Sequence, residues 1–129
     1  MREDLAALLT EAINRLEEAV KGLMDKDERT LYNNVWKAAS DIEYVIFLIA
    51  LSRENGNDEW KKQWKVSRDG EIAATLLTAK DLLRKAVEAL NSDEEEAYRE
   101  AWFARGHVLD IQSRLDKDRA KRPKPQRPA

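Results

Sequence analysis

Cysteine is absent from the 129-residue chain, histidine occurs once, and glycine and proline number only four and three. Without thiols there is no disulfide framework, thiolate nucleophile, zinc finger or iron–sulfur cluster. With His107 as the single histidine, no Ser-His-Asp relay, paired-histidine acid–base system or His-rich metal site can be assembled elsewhere. Long hydrophobic runs are missing too. The longest, Tyr44-Val45-Ile46-Phe47-Leu48-Ile49-Ala50-Leu51, has eight residues, where a bilayer span needs about 20. No membrane segment is expected. The amino terminus, Met1-Arg2-Glu3-Asp4, lacks the apolar core of a secretion signal, so a cytoplasmic location is expected.

What is present is 43% hydrophobic and 37% charged, the balance of a helix-rich globular protein of one domain. The net charge of −2 selects no partner, but its distribution is uneven. Residues 116–129 hold six basic side chains against two acidic ones, a net of +4, which leaves −6 on residues 1–115. The organisation expected is a single helical-bundle domain over 1–115 and a basic, proline-containing flexible tail over 116–129.

Apolar residues recur at steps of three and four along four stretches. Over 5–24 the stripe is Leu5, Leu8, Leu9, Ala12, Ile13, Leu16, Ala19, Val20 and Leu23. Asp27 then caps a second helix over about 28–53, whose stripe takes in Leu31, Tyr32, Val35, Trp36, Ala39, Ile42, Val45 and Ile49. The widening of apolar character over 44–51 predicts a central helix buried on most sides. Asn55-Gly56-Asn57 ends it. The connection 57–69 carries Trp60 and Trp64 one turn apart, on a short extra helix. A third helix is predicted over 70–91, with Ile72, Leu76, Ala79, Leu83, Ala86, Val87 and Leu90 on its buried side. Ser92-Asp93-Glu94-Glu95 reads as a capping box for a fourth that reaches about 115 and presents Tyr98, Ala101, Trp102, Arg105, Val108, Leu109 and Leu115.

The halves match each other. At an offset of 67, Leu9, Ala12, Leu16, Ala19, Val20 and Leu23 fall on Leu76, Ala79, Leu83, Ala86, Val87 and Leu90. At an offset of 66, Asp27, Glu28, Tyr32, Trp36 and Ala38 fall on Asp93, Glu94, Tyr98, Trp102 and Ala104. The expected fold class is therefore all-α: a four-helix bundle of two similar helical hairpins, related by a pseudo-twofold axis, with a short extra helix in the central connection.

Chemistry-bearing residues are sparse. A di-iron bundle needs Glu-x-x-His twice, whereas Ala104 stands three residues before His107, so no metal is expected. No glycine-rich phosphate loop or nucleophile elbow occurs, and no cofactor is expected. Aromatics among lysines make Trp60, Lys61, Lys62, Trp64 and Lys65 a candidate binding surface, with Arg105 and His107 beside it; a lid over the bundle is the plainer use of the two tryptophans. In the tail, Arg119, Lys121, Arg122, Lys124 and Arg127 are candidates for gripping nucleic acid through counterion release.

Leu16-Glu17-Glu18-Ala19-Val20, followed after an acidic turn by Asn34-Val35-Trp36-Lys37-Ala38-Ala39, resembles the first hairpin of HEPN-type helical bundles, including small archaeal members of that group. The likeness covers about residues 9–51. It implies a helical bundle, and active members of the group cleave RNA with an Arg-x4-His signature, while others pair with nucleotidyltransferases or bind nucleotides. Here Arg105 and His107 are one residue apart, and Arg99 lies eight before His107, a departure that argues against nuclease activity. The function expected is a non-enzymatic protein-interaction module, with a protein partner or self-association as a homodimer. Nucleic-acid binding through the tail and a degenerate HEPN-like role in RNA processing are the alternatives.

Overall fold

The computed structural model describes residues 2–53, 58–63 and 70–121, the side chains of Arg2, Gln63 and Lys121 excepted. Along α1 (Arg2–Met24), Leu5, Leu9, Ala12, Leu16 and Ala19 turn inward as their spacing requires. The chain reverses through Lys26, whose φ of 58° is left-handed, and the Asp27 amide donates to the Gly22 carbonyl at 2.8 Å. Gly22 is the point of closest approach. A Cβ there would stand 2.8 Å from the Leu31 nitrogen, so the start of α2 (Glu28–Ser52) rests on the backbone of α1. Asp27 caps α2, accepting from the Thr30 amide and hydroxyl.

The extra helix is present as α3 (Glu59–Gln63), and α4 (Ile72–Ala89) follows with Leu76, Ala79, Leu83 and Ala86 buried. Two boundaries differ from the expectation. Asp93, and not Ser92, takes the Glu96 amide at the start of α5 (Glu94–Lys121). That helix also continues six residues beyond 115, because Asp116–Lys121 are helix-compatible residues and the first proline comes only at 123. Of the expected tail, residues 122–129 lie outside the described residues.

Helices pack in the cyclic order α1, α2, α5, α4. Tyr32 at the start of α2 reaches Asp116 near the end of α5, while Ser52 at the end of α2 reaches Glu94 at the start of α5. Those two helices are thus antiparallel. Arg53 holds Glu95, and the Gly70 carbonyl accepts from Arg114, so the residues flanking the connection sit at opposite ends of α5. The result is an all-α bundle running up, down, down, up, with every packed pair antiparallel. At offset 67, Leu9 and Leu76, Ala12 and Ala79, Leu16 and Leu83, Ala19 and Ala86 are buried together, Val20 and Val87 are both partly buried, and Leu23 is partly buried where Leu90 is buried. At offset 66 the same holds for Leu31 and Ala97, Val35 and Ala101, Ala38 and Ala104, Ile42 and Val108, and Val45 and Ile111.

One expectation about the core is overturned. Trp36 is 47% exposed, and α2 is not buried on most sides: Tyr44, Phe47 and Leu51 face outward. The core accepts the arc of Leu31, Val35, Ala38, Ala39, Ile42, Val45 and Ile49, with Ile46 and Leu48 packed partly buried against it, so Trp36, Tyr44, Phe47 and Leu51 are left facing water.

Candidate functional site

The segment around Trp60 is engaged within the chain. Trp60 meets Tyr98, Trp102 and Phe103 edge-on, with ring centroids 6.1, 5.2 and 5.4 Å away, and so covers the aromatic face of α5. Lys61 donates to the Tyr98 hydroxyl at 2.8 Å, and its ammonium stands over Tyr98, Trp60 and Trp102. The Arg53 guanidinium lies 3.9 Å from the Tyr98 ring centroid and forks onto Glu95, with Asp58 as a second partner. The hydrogen bonds to Glu95 raise the Arg53 pKa further above its already high value, and Arg53 in turn lowers that of Asp58. Trp60 is therefore a lid, and Lys61 is held by it. Lys62 is exposed, whereas Trp64 and Lys65 lie outside the described residues.

The other expected candidates do not converge. Arg105 is paired with Glu43 on α2. His107 is half-buried, and that burial lowers its pKa against the opposing pull of Asp110. Arg119 lies 4.0 Å from the Tyr32 ring centroid. Lys121 ends α5, and Arg122, Lys124 and Arg127 lie outside the described residues. Among the described residues no group of three or more carboxylates and imidazoles is placed to hold a metal ion. Asp41 and Glu100 have raised pKa values, both chiefly through burial, with Glu11 and Glu96 respectively adding to it.

A cleft of about 700 Å³ opens at the end of the bundle where α1 finishes and α2 begins. Leu23, Leu31, Ile72 and Leu115 give it an apolar lining, and Lys26, Arg29 and Arg119 alternate with Glu28 and Asp118 around it. Mixed charge of this kind selects neither an anion nor a cation.

The outer face of α2 is more distinctive. Trp36, Ser40, Tyr44, Phe47 and Leu51 follow at steps of four, four, three and four, which places them on one side of the helix, opposite the buried arc. The large ones are 47%, 53%, 57% and 67% exposed for Trp36, Tyr44, Phe47 and Leu51. Single exposed apolar residues are ordinary, but four aligned over about four turns are not. The bundle itself does not require them. Sixty-six residues on, α5 carries Asp110, Ser113 and Lys117 where α2 has Tyr44, Phe47 and Leu51, and there the one apolar counterpart, Trp102, lies beneath Trp60. Sequence reasoning missed this face because the run 44–51 was read as all core. The contrast with Asp110, Ser113 and Lys117 at the same offset was the available signal.

Among the described residues no helix is long and apolar enough to cross a membrane. No family model, curated protein or solved structure matches this chain.

Proposed function

We propose that the chain is a protein-interaction module and that the outer face of α2 is its docking surface. The observation that carries this reading is the aligned exposure of Trp36, Tyr44, Phe47 and Leu51 where the matching helix α5 is polar. An aromatic side chain buries 150–250 Å², so half-exposed residues of this size leave about 100 Å² each in water, roughly 400 Å² in all. Covering that area is worth about 10 kcal/mol by transfer, the same order as the freedom lost on association. The face is thus suited to reversible attachment. We also infer that the two hairpins are copies of one unit, of which only the first kept or acquired an apolar exterior; the shared burial pattern supports this.

A photo-crosslinking amino acid at position 47, compared with one at the exposed Leu77 on α4, tests the docking surface. A protein adduct formed at 47 and not at 77, and lost when Leu51→Lys is added, is the expected outcome. Equal labelling at the two positions, or none at 47, refutes the reading.

A further inference from the structure

We propose that the partner seated on α2 is a second copy of this chain, laid antiparallel across a twofold axis near residues 43 and 44. The inference rests on the reading of the α2 face as a docking surface, and adds the identity and register of its occupant. Between antiparallel helices, facing positions sum to a constant. Taking Trp36 opposite Leu51 places Ser40 opposite Phe47 in the same register, and Tyr44 beside Glu43 and Tyr44 of the other copy. Each copy then offers its one small residue, Ser40, as the seat for the other's Phe47, and symmetry makes the contact twice. A parallel pairing would instead set Phe47 on Phe47 and leave a gap between two serines.

Charge points the same way. Trp36, Ser40, Tyr44, Phe47 and Leu51 are themselves uncharged, and no charged residue occurs from Tyr44 through Ser52. The exposed Lys37 flanks the stripe at its Trp36 end, and Glu43 at the centre is already paired with Arg105 of its own chain. A strongly charged partner finds no stripe of opposite charge along this face, whereas a second uncharged apolar stripe is complementary to it, and this chain presents one. Two faces of roughly 400 Å² fall below the ~1,200 Å² lower bound of standard interfaces, so the dimer is weak and concentration-dependent.

Sedimentation equilibrium over a wide dilution series, joined to disulfide trapping in this cysteine-free chain, tests the proposal. The mass is expected to rise toward two chains with concentration. The Phe47→Ser, Leu51→Lys double variant, which copies residues that α5 carries at matching positions and so preserves folding, is expected to weaken association at least about tenfold. Leu77→Lys is expected to leave it unchanged. When Ser40→Cys chains are mixed with Phe47→Cys chains and oxidised, disulfides between the two kinds are expected in excess over those between like chains. Two outcomes overturn the proposal: a monomer at every concentration, or trapping that favours like positions. A monomer whose position 47 still crosslinks to another protein would refute the second copy and leave the docking surface standing.

Discussion

Arg119 holds its guanidinium 4.0 Å from the ring centroid of Tyr32, and 66 residues earlier Arg53 stands 3.9 Å from that of Tyr98, itself 66 residues beyond Tyr32. Each arginine closes the far end of one helix onto the near end of its antiparallel neighbour. The two contacts differ in what surrounds them. Tyr32 donates its hydroxyl to Asp116, whereas Tyr98 accepts from Lys61 and lies beneath Trp60.

That difference sets an order of stability effects. The Arg53 side chain is only 9% exposed and binds Glu95 and Asp58. Because both acids are half in water, Arg53→Ala is expected to cost about 1.5 kcal/mol, against about 0.5 kcal/mol for the exposed Arg119→Ala. Urea denaturation of the two variants measures this. Equal losses would show that the ring contact alone matters.

Gly22→Ala is expected to destabilise the chain by about 1–3 kcal/mol, because the new methyl meets the Leu31 nitrogen, which is backbone and cannot swing aside. Helix propensity alone would give the opposite sign, a gain of up to about 1 kcal/mol. The direction of the shift in the denaturation midpoint separates the two.

Much of the core was legible in the sequence. The three-and-four spacing identified Leu9, Leu16, Leu76 and Leu83 because each belongs to a narrow stripe with charged flanks, which has one way to face inward. Trp36 was misplaced because apolar residues on α2 occupy an arc wider than one side of a bundle can bury, and spacing cannot say which edge of such an arc is left out. The start of α5 slipped by one residue because Ser92 and Asp93 are both capping side chains, and only the final turn geometry decides between them.

Trp60→Ala is expected to cost about 2 kcal/mol, since it uncovers Tyr98, Trp102 and Phe103 together. Trp36→Ala, on the outer face, is expected to cost less than about 1 kcal/mol. Thermal melts of the two variants at a concentration where the chain is monomeric decide it. A larger loss at Trp36 would mean that this residue belongs to the core after all.

Acid should weaken the fold through His107. Burial lowers its folded pKa below the unfolded value of about 6.5, so the unfolded chain takes up a proton first as pH falls. The destabilisation is absent above the unfolded pKa, grows as pH drops below it, and is complete once pH passes the folded value. His107→Gln is expected to flatten the pH dependence of stability in that window. An unchanged slope would mean that the imidazole titrates alike in both states.

The chain contains two phenylalanines, Phe47 on the proposed docking face and Phe103 within the Trp60 cluster, so fluorophenylalanine labelling yields one reporter and one internal control. The ¹⁹F spectrum across a dilution series should show the Phe47 resonance moving with concentration while that of Phe103 stays fixed. If both resonances are unmoved up to the highest concentration, or only Phe103 shifts, α2 does not meet its own copy through this face.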